Sequence, residues 1–252
     1  MFYLIGLGLD EKDLTNESLK VLKKSSIIYL EDYTVNFPYN LEKFIKNLEK
    51  KIKKRIIKAN REKVEDLSLI KESENKDVSL LVYGSPLTAT THISLIQEAK
   101  KQKIKFKIFY NSSIFDAIAE TGLEIYKFGK ITSIPRWQSN FKPKSFAEII
   151  KENLSVNAHS LLLIDINLDL NDAIKELKEG LSEYNIKIYN DKIVLCSCLG
   201  TEKSKIFYAD IENIIKLNSE LNNKLNIEKP YCLIIPGKLH FLEKEILEGF
   251  EI

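Results

Sequence analysis

The residues best suited to chemistry lie in three short loops of the first half of the chain. Each loop follows an apolar stretch of strand length: Gly6-Leu7-Gly8 ends the first, Gly84-Ser85-Pro86 the second and Asn111-Ser112-Ser113 the third. Glycine lets a backbone approach a ligand closely, and hydroxyls beside amides at a helix start favour a polar or carboxylate group. Ligands bind at the carboxyl ends of parallel strands, so we expect these loops to form a small-molecule site.

Each loop taken alone also has a purely structural interpretation. A dinucleotide fingerprint needs a third glycine three residues after Gly8, and position 11 is Glu, which disfavours a nicotinamide-dependent oxidoreductase. The same gap disfavours the ordinary Rossmann-type methyltransferases. His92, at the start of the helix after the second loop, could act as a general base. No acidic partner for it is visible in the sequence, so a structural role is favoured.

Composition excludes several classes of protein. Lys and Arg total 38 against 36 Asp and Glu, and Arg occurs only at positions 55, 61 and 136, which argues against a nucleic-acid binder. No apolar run approaches the roughly 20 residues of a transmembrane helix, and the N-terminus lacks the features of a signal peptide. Cys196, Cys198 and Cys232 form no even disulfide framework and no metal site, and we expect buried free thiols. A cytoplasmic protein without membrane or nucleic-acid contact is predicted.

Apolar runs of strand length alternate with stretches of helical period, which predicts an α/β protein with largely parallel sheet. Strands are predicted over Phe2–Leu7, Ile27–Leu30, Ile52–Ile57, Ser79–Tyr83, Lys105–Tyr110, Ile131–Ile134, Ser160–Ile164, Lys192–Leu199, Ile206–Tyr208 and Tyr231–Ile235. Ser113 is expected to cap a helix. Residues 135–145 contain two prolines and no regular period, so we predict two α/β domains, over residues 1–135 and 136–252.

Several strings of residues are spread in order from residue 2 to residue 242. The most specific are Ala89-Thr90-Thr91-His92, Tyr126-Lys127-Phe128-Gly129 and Pro236-Gly237-Lys238-Leu239-His240. With Tyr3–Leu9, Leu30–Thr34, His159 and Leu163–Ile166, they resemble the diphthine synthase family of tetrapyrrole-methylase-like enzymes.

The resemblance implies two α/β domains of the tetrapyrrole methylase type with S-adenosyl-L-methionine in the cleft between them, and a homodimer. It implies methylation of the amino group of the 3-amino-3-carboxypropyl-histidine of translation elongation factor 2, which yields diphthine in diphthamide biosynthesis. The compact chain favours the N-methylating form over the form that also methylates the carboxylate. The alternatives are a methyltransferase of the same superfamily acting on a corrinoid or porphyrin precursor, and an S-adenosylmethionine sensor without turnover.

Positions that match the family's cofactor contacts are carried over one by one. They are Leu9, Ser85, Thr88, Ser113 and Ile114 in the first domain, and Ile164, Leu199 and Tyr231 in the second. Two departures affect this set. The family has Gly-Asp-Pro where this chain has Gly84-Ser85-Pro86, and Ala-Arg-Ala-Gly where it has Cys196-Ser197-Cys198-Leu199-Gly200. No catalytic residue is predicted, because solvent can accept the proton that the amine loses.

Overall fold

Five short apolar strands form a fully parallel sheet in the first part of the chain. They are β1 (Phe2–Gly6), β2 (Ile27–Glu31), β3 (Ile57–Ala59), β4 (Val78–Val82) and β5 (Phe106–Phe109), in the order β3-β2-β4-β1-β5. Six helices connect or follow them: α1 (Asn16–Lys24), α2 (Leu41–Ile52), α3 (Arg61–Glu65), α4 (Ser68–Glu72), α5 (Ile93–Lys101) and α6 (Ile114–Ala117). Every residue of β4 is buried, as expected for a strand covered on both faces. The computed structural model describes residues 1–220 and 227–252.

The strand predicted over Ile52–Ile57 is wrong in its position. Ile52 is the last residue of α2, where it is buried with Phe44, Ile45 and Leu48 on one helical stripe. The helical period therefore continues to Ile52, and the chain turns at Lys53, whose φ is 57°, before β3 begins at Ile57. An apolar residue at the end of a helix, here Ile52, resembles the start of a strand when a further apolar residue, here Ile57, follows within the length of a strand. This resemblance explains the error.

The second part of the chain forms a mixed sheet. Its strands are β6 (Thr132–Ile134), β7 (Ser160–Ile164), β8 (Lys192–Ser197), β9 (Lys205–Asp210) and β10 (Tyr231–Ile235), in the order β6-β7-β10-β8-β9. Only β6 and β7 are parallel, and the other neighbouring pairs are antiparallel. The helices are α7 (Ser145–Ser155), α8 (Leu170–Glu183), α9 (Ile211–Glu220) and α10 (Phe241–Glu248). The prediction of an α/β fold is confirmed, but largely parallel pairing holds for the first sheet only.

The chain divides into two compact units, and the division differs from the predicted boundary. The first unit contains Met1–Ala117 and Gly200–Glu202, and the second contains Ile118–Leu199 and Lys203–Ile252. The prolines at 135 and 143 therefore lie inside the second unit. The reason is that β6, which ends just before Pro135, pairs in register with β7 of the second sheet. The described residues include no helix that is long and apolar enough to cross a membrane.

Candidate functional site

The first two candidate loops are joined directly by their backbones. The amide of Gly8 donates to the carbonyl of Gly84 over 3.1 Å, and the amide of Gly84 donates back to Gly8 over 2.9 Å. Both glycines have positive φ, +80° and +69°, a conformation that other residues rarely adopt. A Cβ on Gly6 would lie only 2.5 Å from the Gly84 carbonyl oxygen. The glycines at positions 6 and 8 therefore let two loops of the protein approach each other.

A carboxylate and an amide that the sequence analysis missed bring in the third loop. Asp13 Oδ2 accepts from the backbone amides of Leu9 (2.9 Å) and Asp10 (3.0 Å) and from the hydroxyl of Ser112 (3.0 Å). Asn111 Nδ2 donates to the carbonyls of Gly6 (3.2 Å) and Asp13 (3.0 Å). All three loops are thus held together at the carboxyl edge of the adjacent strands β4, β1 and β5. Asp and Asn beside glycine turns were the available signal, since their side chains commonly bond to loop backbone.

The predicted cofactor residues of the first unit all lie on these loops. Leu9, Ser85 and Ser113 are buried, and Thr88 and Ile114 are partly buried. Ser113 lies directly before α6, at the capping position that the sequence predicted, and its carbonyl accepts from the amide of Ala117 over 3.1 Å. Its side chain bonds differently from a usual cap, because its amide and its hydroxyl both donate to Asp116 Oδ2 over 2.8 Å. The helix that follows, α6, has only four residues. The third loop therefore does not lead into the longer helix that the sequence predicted.

His92 has the acidic partner that the sequence did not reveal. Its Nε2 lies 2.8 Å from Glu31 Oε2 at the end of β2, and its Nδ1 lies 3.1 Å from the carbonyl oxygen of Pro86. His92 and Glu31 are 2% and 1% exposed, so this buried pair is shielded from water. Burial alone lowers the pKa of His92, but the hydrogen bond and charge of Glu31 outweigh it, and the pKa is raised. His92 therefore connects β2 to the loop that contains Ser85 and Thr88.

An aromatic group packs beside the same loops. The rings of Phe37, Tyr39 and Tyr83 lie 5.1–6.5 Å apart between centroids, and the Tyr83 hydroxyl donates to the Leu9 carbonyl over 3.0 Å. The Tyr39 hydroxyl is buried and has no hydrogen-bond partner among the described residues. Burial and the nearby carboxylates of Asp10 and Asp13 raise the pKa of Tyr39, so the phenol stays protonated.

The predicted cofactor residues of the second unit share one edge of the mixed sheet. Ile164 ends β7, Leu199 follows the end of β8, and Tyr231 begins β10, which runs antiparallel to both. The Tyr231 hydroxyl donates to the Leu168 carbonyl over 2.9 Å, which fixes the ring. Leu199 is 4% exposed, whereas Ile164 and Tyr231 are partly buried. Cys198 between β8 and Leu199 has a φ of 50°, so the strand ends at Ser197, two residues earlier than the sequence predicted.

Comparison with known proteins identifies the family. The model of the Tetrapyrrole (Corrin/Porphyrin) Methylases matches residues 1–215. The chain belongs to the tetrapyrrole methylase family. A diphthine synthase of Methanocaldococcus jannaschii is 38% identical over 261 residues, covering 98% of each chain. A diphthine methyl ester synthase of Schizosaccharomyces pombe is 45% identical over 171 residues, or 67% of this chain and 59% of that protein. A solved structure of diphthine synthase superposes with a TM-score of 0.83 at 28% identity, covering 100% of this chain and 96% of the other.

Three of the strings that indicated this tetrapyrrole methylase from sequence, those that contain Lys127, His159 and His240, meet at one buried carboxylate in the second unit. Glu243 accepts from the amides of Glu124 (3.0 Å) and His240 (2.7 Å), from His159 Nε2 (3.0 Å) and from the ammonium of Lys127. Glu243 is 1% exposed, and burial by itself would raise its pKa. The hydrogen bonds outweigh burial and lower the pKa to about 2.

This network explains why the methylase strings contain histidine, lysine and glycine at fixed places. The amide of Gly237 donates to His159 Nδ1 over 2.9 Å, and a Cβ at Gly237 would lie 2.5 Å from the carbonyl oxygen of Asn157. Burial lowers the pKa of His159, so the ring is neutral, with Nε2 carrying the proton. These residues hold three chain segments together, and their role is structural.

The three cysteines of this methylase are buried free thiols, as the sequence predicted. Cys196 on β8 and Cys232 on β10 are register partners, and burial with a hydrogen bond between them raises the pKa of Cys196 well above its ordinary value. A protonated thiol is a poor nucleophile, so neither strand offers nucleophilic chemistry.

Proposed function

We propose that this chain transfers methyl groups from S-adenosyl-L-methionine to the amino group of the 3-amino-3-carboxypropyl-histidine of translation elongation factor 2. The observation that carries the proposal is the full-length similarity, at 38% identity, to a diphthine synthase. The fold supports it, since a solved diphthine synthase matches all of this chain. The product would be diphthine, an intermediate of diphthamide biosynthesis.

The loops of the first unit fit S-adenosylmethionine. A Cβ added at Gly84 would meet no atom nearer than 3.7 Å, so the loop leaves room at that point for a ligand atom. Ser85 and Thr88 supply hydroxyls for the polar groups of the cofactor, while Leu9 and Ile114 supply apolar surface. Asp10, partly exposed beside Leu9, provides a negative charge suited to a cationic ligand. The contribution of Ile164, Leu199 and Tyr231 stays a prediction.

The reaction requires orientation more than acid–base chemistry. When bound, the cofactor supplies an activated methyl group on a sulfonium. The loops around Gly8, Gly84 and Asn111 are cross-linked by backbone and side-chain hydrogen bonds, which gives them the rigidity that positioning requires. We name no catalytic base, because the proton of the amine can leave to solvent.

We infer a cytoplasmic homodimer that contacts the elongation factor directly and binds neither nucleic acid nor membrane. Exposed apolar side chains of the second unit support an interface between two copies. Tyr126 is 83% exposed and Phe241 73% exposed, and Glu243 binds the backbone beside both of them. Sedimentation of the native protein, compared with a Tyr126→Ser, Phe241→Ser double variant, tests this inference. A dimer is expected for the native protein and a monomer for the variant.

Mass spectrometry tests the reaction itself. Elongation factor 2 that carries the 3-amino-3-carboxypropyl-histidine is incubated with this protein and S-adenosylmethionine. A gain in mass by methyl steps on that histidine is expected, most simply three steps on the amine. A fourth step would show that the carboxylate is methylated as well. The same elongation factor without the 3-amino-3-carboxypropyl group is the matched control and should gain nothing.

The same assay separates the alternatives. No mass gain on the competent acceptor would overturn the proposal. Methylation of a corrinoid or porphyrin precursor in a parallel reaction would then favour the other branch of the family. Binding of S-adenosylmethionine without transfer to any acceptor would indicate a sensor.

A further inference from the structure

The imidazole of His92 lies between a backbone carbonyl oxygen and the carboxyl group of Glu31. Nδ1 faces the carbonyl oxygen of Pro86 at 3.1 Å, and Nε2 faces Glu31 Oε2 at 2.8 Å. A neutral imidazole has one N–H and can satisfy only one of these acceptors. Both bonds form when His92 is an imidazolium and Glu31 is a carboxylate; a neutral imidazole forms both only if Glu31 is itself protonated and donates to Nε2.

Two hydroxyl groups also face the carboxyl group of Glu31. Its other oxygen, Oε1, accepts from the hydroxyl of Thr34 over 2.7 Å, and the Tyr33 hydroxyl also hydrogen-bonds to the carboxyl group. The remaining charged groups near the pair come from α3: Glu65 raises the pKa of His92, and Arg61 lies over the ring of Tyr33 at 5.3 Å. Hydroxyls of two residues besides His92 therefore hydrogen-bond to the Glu31 carboxyl group.

The Pro86 carbonyl belongs to the loop that contains Ser85 and Thr88. The amide of Thr88 donates to the Ser85 carbonyl over 3.0 Å, so the two residues form one turn around Pro86. The Thr90 hydroxyl also donates to the Pro86 carbonyl, over 2.9 Å. If His92 loses one proton, the remaining proton stays on Nε2 beside the carboxylate. Nδ1 then presents a lone pair to the carbonyl oxygen, and the contact becomes repulsive.

We propose that His92 is a positioning residue that, as an imidazolium paired with Glu31, holds the Ser85–Thr88 turn in the shape that binds S-adenosylmethionine. The inference rests on the proposed function for the identity of the ligand. It assigns to the last residue of the Ala89-Thr90-Thr91-His92 string a role in the cofactor site without direct contact. Cofactor affinity should therefore weaken as the pH rises through the pKa of His92.

A buried histidine in the second unit provides a matched comparison. His159 is also bonded to a buried glutamate, Glu243, but its Nδ1 accepts a hydrogen bond from the amide of Gly237. That ring therefore needs only one proton. Nitrogen-15 NMR of the histidine rings at pH 6.5 should show two protonated nitrogens in His92 and one in His159. A single protonated nitrogen in His92 would overturn the proposal, whether or not the protein binds the cofactor.

Calorimetric titration with S-adenosylmethionine from pH 6 to pH 9.5 tests the positioning role. The dissociation constant of the native protein should rise about tenfold, which corresponds to about 1.4 kcal/mol. Glu31→Gln places an amide N–H opposite Nε2, so a neutral His92 can accept there and still donate from Nδ1 to Pro86. The affinity of this variant should therefore stay near the native pH 6 value from pH 6 to pH 9.5. The ratio of the two affinities at each pH removes any titration of the ligand itself. His159→Gln, the control, should keep the native pH profile.

A conservative variant separates positioning from folding. His92→Asn places an amide N–H near the position of Nδ1, so it should keep the bond to Pro86 and bind within about threefold of the native affinity at pH 6, without the pH dependence. His92→Gln should bind about tenfold more weakly. Equal affinity of these two variants, or a native affinity that does not change with pH, would overturn the positioning role. Failure of the native protein to bind S-adenosylmethionine at every pH would instead overturn the proposed function.

Discussion

Replacing Glu243 by glutamine is expected to destabilise the second unit strongly at neutral pH and weakly in acid. The carboxylate is buried and accepts from two backbone amides, from His159 and from the ammonium of Lys127. Glutamine keeps the size of the side chain but turns an NH2 group toward donors. It also leaves the Lys127 ammonium, whose side chain is 22% exposed, without its anion. Breaking a buried pair from one side typically costs several kcal/mol.

The magnitude follows from the titration of Glu243. Its pKa is lowered from an ordinary 4.5 to about 2, which corresponds to about 3 kcal/mol of folding free energy at neutral pH. A lowered carboxyl pKa stabilises the fold above the unfolded value, and this stabilisation is lost as the pH falls through the folded value. We therefore expect Glu243→Gln to cost about 3 kcal/mol at pH 7 and only about 1 kcal/mol at pH 3.

Urea unfolding at the two pH values measures the difference. Trp137 is the only tryptophan and lies in the second unit, so its fluorescence reports on the unit that contains Glu243. Glu245→Gln, an exposed position on the same helix, is the matched control and should change stability by less than about 0.5 kcal/mol. An equal loss of unfolding free energy at pH 7 and pH 3 would refute the reasoning. Such a loss would not depend on the ionisation of Glu243, so it would come from altered packing and not from the lost charge.

Three further comparisons test the loops of the first unit. Gly6→Ala should lower the melting temperature far more than Gly84→Ala, because the Cβ at position 6 would meet a backbone oxygen at 2.5 Å, whereas the Cβ at position 84 has room in the unliganded protein and only φ strain of about 1–2 kcal/mol; equal losses of stability would contradict the packing argument. Tyr39→Phe should leave stability unchanged or raise it by up to about 1 kcal/mol, while Tyr83→Phe loses a hydrogen bond and about 1 kcal/mol, as measured by chemical unfolding. Ser85→Asp, which restores the family's residue, should tighten S-adenosylmethionine binding by at most about a hundredfold in calorimetric titration, and weaker binding would show that the serine suits this loop.

Much of the first unit could be predicted from local sequence. Apolar runs of strand length marked β1, β4 and β5, and glycine, serine and asparagine marked the loops after them. Because the carboxyl ends of parallel strands lie at one edge, the three loops were expected to meet, and the structure confirms it through the bonds of Asp13 and Asn111. The family strings also indicated the tetrapyrrole methylase family, which the match over residues 1–215 confirms.

Local sequence was less informative where one pattern fits two structures. The segment from Ile52 to Ile57 was predicted as a strand, but it is the end of α2 followed by a turn. The two prolines, at positions 135 and 143, resembled a linker but flank a turn of the second unit, in which Gln138 and Phe141 exchange backbone hydrogen bonds over 3.0 and 3.1 Å. In both cases the outcome depended on which sheet the neighbouring strand joined.

The chain by itself determined the elements, the candidate loops and the family, because these depend on residue types at short spacing. Only the tertiary structure decided which charged groups meet. His92 and Glu31 are 61 residues apart, and they become neighbours because β2 pairs with β4 in the middle of the first sheet. Lys127 and Glu243 are 116 residues apart, and no periodicity connects them. A buried charge must find its partner wherever the sheet order places one, so the pairing is a property of topology and is not written in any local pattern.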